Sequence, residues 1–192
     1  MNIKTIWIGI FICLSYSINS KEVVVREILK IEIAKTSNTE IKDFVKKFNR
    51  DQLEAYIFLQ KHRREAIRHQ IKYGIPASIK LAQALLESQK GQSKMAKNIF
   101  NYFGVKCFSK NCSKWHCTNF ADDEPTDRFK NYRSVSHSFE DHSELLTTNR
   151  YKPLQKCGND YKKWAKGLQD LGYATDPKYA NKLITIIEFY HL

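Results

Sequence analysis

The chain has 192 residues, of which 42% are hydrophobic, and this fits one domain with a buried core. Its formal net charge of +12 excludes an acidic protein and favours an anionic partner, although basic residues that only keep the surface soluble would explain the same charge. We expect no nucleic-acid partner, because the aromatic residues are not arranged as a stacking module.

Residues 1–20 have the pattern of a signal peptide. Lys4 supplies a positive start, residues 6–14 form a short apolar run, and small serines follow as far as Ser20. The run is too short to span a bilayer, so we predict cleavage after Ser20 and no membrane span in the mature protein. A lipid anchor on Cys13 is the alternative. The predicted location is the periplasm, the cell envelope or the extracellular space.

Residues 21–50 are predicted to form an N-terminal helical extension, because apolar residues recur in them at helical spacing. No motif assigns a function to this extension. The main domain is predicted to span residues 51–192 and to begin with Asp51 as the N-cap of a long amphipathic helix. Two histidines of this helix, His62 and His69, stand among basic residues and are predicted to be solvated rather than to bind a metal.

The next helix is predicted to begin at Pro76 and to stop by Gly91. Its apolar residues recur at helical spacing and form one face: Ile79, Ala82, Leu85 and Leu86. Gln83 and Glu87 are four positions apart, so they lie one above the other on another face. This spacing places Glu87 in the last turn or so of a mostly apolar helix.

The position of Glu87 favours the chemistry of a general acid. The C-terminal end of a helix carries a partial negative charge of roughly half an elementary charge. Together with apolar neighbours, this charge is expected to push a carboxylate toward its protonated form, which a general acid needs near pH 7. A solvated surface glutamate is the simpler alternative, because helix ends often carry one.

The cysteines that follow the leader are Cys107, Cys112, Cys117 and Cys157. An even number in an exported protein indicates disulfides, but the sequence does not choose among the possible pairings. His116 beside Cys117 raises zinc as an alternative. Structural zinc sites usually pair their ligands at shorter spacing, so we predict no metal and no other cofactor.

The helical pattern breaks between residues 117 and 133, where a small two-stranded lobe is predicted. Residues 118–120 and 128–132 are the predicted strands, and the turn between them carries Asp122, Asp123 and Glu124. A hydrated turn accounts for these three acids as well as a functional role does, because turns prefer aspartate for local hydrogen bonds.

Further helices are predicted after this lobe. Ser136 should cap a helix with His142 on its inner side, where the histidine is expected to be a core residue with a hydrogen-bond partner. A later helix should begin at Asp176 and Pro177, and Tyr173 before it belongs to no apolar stripe. The elements together predict an α+β, predominantly helical domain with a small β-hairpin lobe beside a groove.

Three motifs stand out in the chain: GIPASIKLAQALLESQKGQS at residues 74–93, NYFGVK at residues 101–106 and GYATDPKYANKL at residues 172–183. Their residues and their order resemble those of the glucosaminidases of glycoside hydrolase family 73, which include flagellar muramidase domains and many autolysins. The chain resembles this family over about residues 51–192, which implies a lysozyme-like fold. One departure is Gln89-Lys90, where the family often has Gly-Trp after Glu-Ser.

The resemblance implies a site with Glu87 as general acid and with Tyr173, whose hydroxyl would orient the substrate's acetamido group or stabilise the transition state. A tyrosine that only packs at a helix junction is the alternative. The substrate-binding positions implied by the motifs are Gln83, Ser88, Asn101, Phe103 and Tyr132. Asn101 also has a structural explanation, because its side chain can tie the chain reversal before Gly104.

The family's β-hairpin carries a second acidic residue, and the usual glutamate falls here on Asn119. This departure leaves Asp122, Asp123 and Glu124 as candidates for the second carboxylate, and we favour Asp123.

The resemblance implies an exported endo-beta-N-acetylglucosaminidase that cleaves the β-1,4 bond after N-acetylglucosamine in peptidoglycan glycan strands. We expect the protein to be a monomer. A lytic transglycosylase, which also uses a single glutamate but leaves an anhydro sugar, is one alternative. A catalytically weakened peptidoglycan-binding module is the other, and the departure at Asn119 keeps it open.

Overall fold

The computed structural model describes residues 46–108, 115–119 and 127–192, so the predicted signal peptide and most of the predicted extension lie outside the described residues. In chain order the elements are α1 (Arg50–Tyr73), α2 (Ala77–Glu87), α3 (Lys94–Ile99), β1 (Cys117–Asn119), β2 (Arg128–Lys130), α4 (Val135–Thr147), a 3-10 helix (Lys152–Cys157), α5 (Tyr161–Asp170) and α6 (Tyr179–Tyr190). The prediction of a mostly helical α+β domain is confirmed. Of the described helices, none has both the length and the apolar character needed to cross a membrane.

Helix α2 is the central element, because apolar clusters pack on two sides of it. Leucine and alanine side chains on one side pack with α1 and α4. Ile79 and Ala82 on the other side pack with the 3-10 helix, α5 and α6. Every residue from 79 to 85 is buried, including Lys80 and Gln83, so the middle of α2 is surrounded by protein and not only covered on one apolar face.

Helix α1 begins at a capping box, and the prediction that Asp51 is its N-cap is wrong. Asn49 is the N-cap: its side chain accepts a hydrogen bond from the backbone of Gln52, whose side chain accepts one from the backbone of Asn49. Asp51 lies in the first turn instead, where its charge suits the helix dipole.

Other predicted helix limits shift by a few residues. Pro76 is the N-cap of α2, which starts at the next residue. Ser134, not Ser136, caps α4. Asp176 and Pro177 precede α6, which begins at Tyr179 and not at the proline.

The predicted two-stranded lobe is present. Strands β1 and β2 are antiparallel, with the pairs Cys117 and Lys130, Thr118 and Phe129, and Asn119 and Arg128. Phe129 is 1% exposed and anchors the hairpin in the protein. An isolated bridge between Phe129 and Lys106 joins the hairpin to the segment after α3.

The prediction that His62 and His69 are solvated is wrong, because α1 packs its histidine-bearing side against α4 and the segment after α3. His62 lies against the rings of Phe58, Tyr102 and Phe139. The Nδ1 atom of His69 is 2.7 Å from the Ser143 hydroxyl, and its Nε2 atom is 3.1 Å from a Glu65 oxygen.

Candidate active site

Glu87 is the last residue of α2, and its side chain is partly exposed where the buried part of the helix ends. The chain then turns through three successive residues with left-handed backbone angles: Gln89, Lys90 and Gly91. Ser88 stabilises this turn, since its hydroxyl donates to the Ala84 carbonyl and accepts from the Gly91 N–H. The sequence placed Glu87 at the end of the helix correctly, but the helix ends before the predicted stop at Gly91.

Glu87 accepts a hydrogen bond from a buried tyrosine, Tyr179, at the first residue of α6. The Tyr179 hydroxyl donates to Glu87 Oε1 over 2.8 Å. The same hydroxyl accepts from the Gln83 side-chain amide at 3.0 Å, which directs the tyrosine's proton toward the carboxylate. Burial and the nearby Glu87 charge raise the pKa of Tyr179 far above its usual range, so the hydroxyl keeps its proton.

Tyr173 lies in the turn between α5 and α6 and stacks on Tyr179, with the ring centroids 5.6 Å apart. Its hydroxyl is 2.9 Å from Nε2 of His142 and 3.4 Å from the carbonyl oxygen of Phe103. Burial raises the pKa of Tyr173 well above its usual range, and Tyr179 and Glu87 add to the effect. The structure thus brings Glu87, Tyr179 and Tyr173 together, while the catalytic roles of Glu87 and Tyr173 stay predictions.

A second layer of polar groups is buried behind Tyr173. The ring of His142 stacks flat on Phe103, with centroids 3.9 Å apart and an angle of 3° between the planes. Its Nδ1 atom is 2.8 Å from the amino group of Lys80, a buried residue of α2. Burial, followed by the charge of Lys80, lowers the pKa of His142 well below its usual range, so the imidazole is neutral. The expectation that His142 is a core residue with a hydrogen-bond partner is confirmed.

Sequence analysis did not identify Tyr179 or Lys80 as part of the site. Tyr179 could have been identified from the sequence, because it belongs to the third family motif, at residues 172–183. Lys80 could also have been identified, because Lys80, Gln83 and Glu87 are polar residues that recur at helical spacing on an otherwise apolar helix.

The five residues predicted to bind substrate are all buried: Gln83, Ser88, Asn101, Phe103 and Tyr132. The Asn101 amide donates to the carbonyl oxygens of Val105 and Lys130 and so ties the turn after α3 to β2. The Tyr132 hydroxyl donates to the Asp141 carboxylate over 2.7 Å. The contacts of Asn101 and Tyr132 are with other parts of the protein, and direct contact with a sugar stays a prediction for all five.

The candidate second carboxylates, Asp122, Asp123 and Glu124, lie outside the described residues. Asn119 and Arg128 are paired across the hairpin, so the segment that carries the three acids joins β1 to β2. Whether one of them completes the site, and which one, therefore stays a prediction.

Cys107 and Cys117 form a disulfide that joins the segment after α3 to β1. His116 lies beside it, with Nδ1 3.2 Å from Cys117 Sγ, so three potential metal ligands are grouped here. Zinc binds thiolates, and the disulfide occupies both sulfur atoms of this group. Cys112 lies outside the described residues, and Cys157 forms no disulfide within them.

Comparison with known sequences relates residues 63–192 to one family, described as mannosyl-glycoprotein endo-beta-N-acetylglucosaminidase. The exo-glucosaminidase LytG of Bacillus subtilis strain 168 is 38% identical over 134 residues, which are 63% of this chain and 46% of LytG. The peptidoglycan hydrolase FlgJ of Escherichia coli K12 is 34% identical over 126 residues, which are 60% of this chain and 40% of FlgJ. The chain therefore spans less than half the length of these two relatives.

Solved structures show the same fold. The glycoside hydrolase domain of FlgJ from Salmonella typhimurium matches with a TM-score of 0.57 at 31% identity, over 71% of this chain and 88% of that domain. A peptidoglycan hydrolase from Sphingomonas sp. A1 matches with a TM-score of 0.56 at 30% identity, over 70% of this chain and 86% of that protein. The family match contains α2, the hairpin and the turn with Tyr173. The chain therefore belongs to the glucosaminidases of glycoside hydrolase family 73 and has their lysozyme-like fold.

Proposed function

We propose that this chain is an exported glucosaminidase that hydrolyses the β-1,4 bond after N-acetylglucosamine in peptidoglycan. The observation that carries the proposal is the Glu87–Tyr179 hydrogen bond at the end of α2, beside Tyr173. A helix that is buried in its middle presents one partly exposed carboxylate at its end, and the hydroxyl of the buried Tyr179 donates to that carboxylate. Relatives named exo-glucosaminidase and peptidoglycan hydrolase support the substrate class.

In the first step Glu87 acts as the general acid. It transfers its proton to the glycosidic oxygen while the bond from C1 to that oxygen breaks, so the leaving sugar departs as an alcohol. Glu87 is then a carboxylate, and the Tyr179 hydroxyl already donates to it over 2.8 Å. A hydrogen bond to an ionised carboxylate is stronger than one to a neutral acid, so this contact favours the product of proton transfer.

The positive charge that develops at C1 is relieved in one of two ways. In one, a carboxylate opposite Glu87 activates water, and the two carboxyl groups of such an inverting enzyme lie about 6.5–9.5 Å apart. Asp123, with Asp122 and Glu124 as substitutes, is the proposed carboxylate. In the other, the substrate's own acetamido oxygen attacks C1 and water opens the intermediate. This route needs no second carboxylate, so it is compatible with Asn119 at the position where the family usually has a glutamate. In this route Tyr173 would orient the acetamido group.

Export is part of the proposal, because the peptidoglycan substrate lies outside the cytoplasmic membrane. The signal-peptide pattern of residues 1–20 supports it. The disulfide between Cys107 and Cys117 supports an oxidising compartment. The formal net charge of +12 suits an anionic wall.

The test is digestion of purified peptidoglycan, with the products identified by mass spectrometry. Glu87→Gln keeps the size of the side chain and removes the proton to be transferred. We expect it to lower the rate of digestion by at least about 100-fold, the lower end of what general acid catalysis contributes. Glu144→Gln, which changes an exposed glutamate of α4, is the matched control and should digest at the wild-type rate.

Substantial digestion by Glu87→Gln would remove Glu87 from the mechanism. Hydrolysis should leave reducing N-acetylglucosamine ends, whereas anhydro sugars would identify a lytic transglycosylase. If the wild-type chain binds peptidoglycan but releases no soluble fragments from it, the protein is a binding module. Replacing Asp122, Asp123 and Glu124 by the corresponding amides, singly and together, distinguishes the carboxylate route from the acetamido route. Full activity of the triple variant supports the acetamido route.

A further inference from the structure

Lys80 is a buried lysine in the middle of α2, with 0% of its surface exposed. Its amino group donates to the Phe139 carbonyl oxygen at 3.2 Å and lies 2.8 Å from Nδ1 of His142. The amino group also lies 4.9 Å from the centroid of the Phe103 ring. A buried amine is costly unless its protons are used, and the His142 contact leads on to the Tyr173 hydroxyl.

The carboxylates nearest to Lys80 are bonded to other groups. Glu140 accepts from Lys72 and Tyr73, Asp141 accepts from Lys130 and Tyr132, and Glu65 lies within hydrogen-bond distance of His69 and Ser136. Their charges raise the pKa of Lys80, but burial outweighs them and holds it well below its usual range. The specific partners of the amino group are therefore the Phe139 carbonyl and His142, not an acid.

We infer that Lys80 is a positioning residue for Tyr173, because it donates to Nδ1 of His142 and so leaves the ring proton on Nε2, facing the tyrosine hydroxyl. A neutral imidazole has one N–H and one bare nitrogen. As an ammonium, Lys80 has only N–H donors, and its two hydrogen-bonding contacts here are a carbonyl oxygen and Nδ1. This arrangement selects one of the two tautomers of His142.

The tautomer decides which way the Tyr173 proton points. With the proton on Nε2, His142 donates to the Tyr173 oxygen over 2.9 Å, so the tyrosine must direct its own proton elsewhere. Its remaining described acceptor is the Phe103 carbonyl at a long 3.4 Å, a contact that a substrate oxygen can replace. The flat stacking of His142 on Phe103 holds the ring in place. Lys80 thus presets Tyr173 as a hydrogen-bond donor toward substrate.

The importance of this arrangement for turnover rests on the proposed function, but the tautomer itself does not. The first test is therefore NMR of the full chain with ¹⁵N-labelled histidine. In the wild type we expect His142 to carry its proton on Nε2. Lys80→Met keeps most of the side-chain volume and removes the donor, and we expect it to move the proton to Nδ1, at least in part. Lys152→Met, which changes an exposed lysine, should leave the signal unchanged.

The second test is kinetics on a soluble peptidoglycan fragment. Loss of one ordinary hydrogen bond predicts a fall in kcat of about 10-fold for Lys80→Met, with a smaller change in KM. His142→Phe should give a similar fall. The double variant should be no worse than either single variant, because both act through Tyr173, whereas two independent structural defects would multiply.

A wild-type proton on Nδ1, or an unchanged tautomer in Lys80→Met, overturns the inference. If Lys80→Met does not fold, the tautomer of His142 in the wild-type protein alone decides whether the inference holds. Multiplicative losses in the double variant also overturn it. Wild-type activity of Tyr173→Phe would instead remove Tyr173 from the proposed function, and the NMR result would still test what Lys80 does to His142.

Discussion

The Tyr179 hydroxyl donates to Glu87 over 2.8 Å, while the Tyr173 hydroxyl oxygen lies a long 3.4 Å from the carbonyl oxygen of Phe103, to which it donates. The two tyrosines stack on each other, but of the two only Tyr179 has a described hydrogen bond to Glu87. Under the proposed mechanism, Tyr179 would hold the general acid Glu87 in place, and Tyr173 would turn its proton toward the substrate. Changes at the two residues should be separable in kinetics.

Tyr179→Phe keeps the ring that stacks on Tyr173 and removes the hydrogen bond to Glu87. We expect kcat to fall about 10-fold with little change in KM, because the bond positions and stabilises the acid and is not a contact with substrate. Steady-state kinetics measures both constants. Tyr161→Phe is the matched control, since it removes another tyrosine–glutamate hydrogen bond, to Glu188, at the surface. A raised KM with an unchanged kcat would contradict this role.

Sequence alone predicted Glu87 and Tyr173 as residues of the candidate site because both stand in recognisable motifs, and Tyr179 stands in the same motif as Tyr173. Contacts between distant positions were out of reach. Tyr179 is separated from Glu87 by 92 positions, and His142 is separated from Lys80 by 62. Helical spacing shows which residues share a face, but it does not show that α6 and α4 bring a tyrosine and a histidine to that face.

At the scale of elements, the turn after α2 decides where Glu87 is held. Its last left-handed residue, Gly91, has a φ of 75°, and its N–H donates to the Ser88 hydroxyl. A Cβ atom at Gly91 would lie 3.3 Å from Phe58 Cε2 and 3.3 Å from the Tyr102 hydroxyl oxygen. Both the backbone angle and the limited space therefore favour glycine here.

Gly91→Ala is expected to lower the free energy of unfolding by more than the roughly 1–2 kcal/mol that a left-handed non-glycine residue costs, because the new methyl group is also crowded. Gly104→Ala is the control: φ is 62°, and no atom lies within 4 Å of the added Cβ, so it should show the backbone cost alone. Denaturant unfolding measures both. Equal losses in the two variants would show that the contacts with Phe58 and Tyr102 do not matter.

Helix limits were predictable to within a few residues, and tertiary contacts explain the errors. Ser134 and Ser136 can both cap a helix, but the Ser136 hydroxyl donates to Glu65 on α1, and Ser134 takes the cap. Asn49 and not Asp51 is the N-cap, because Gln52 forms a capping box with Asn49. Several residues near a helix start are suitable as the N-cap, and their contacts with other residues determine which one caps the helix.

At the scale of the whole molecule, apolar periodicity and the motifs predicted a mostly helical domain with a small hairpin, and both are present. Periodicity could not predict how many polar side chains are buried. His62, His69, Lys80 and His142 are all buried. Burial lowers the pKa of each of these side chains, so acid should unfold the domain.

His62 allows the sign and size of this effect to be worked out. Burial lowers its pKa from 6.5 to about 4, so below pH 6.5 the unfolded chain binds a proton that the folded chain does not. Its contribution to stability is complete above pH 6.5 and is lost as the pH falls to about 4, a change of about 3 kcal/mol. His62→Phe keeps a ring between Phe58 and Phe139 and removes the titration, so the free energy of unfolding should fall less steeply over this range. His137→Gln, at an exposed histidine, should keep the wild-type slope. Carboxylates titrate alike in all three proteins and cancel, so equal slopes for His62→Phe and wild type would show that His62 is not held neutral by the fold.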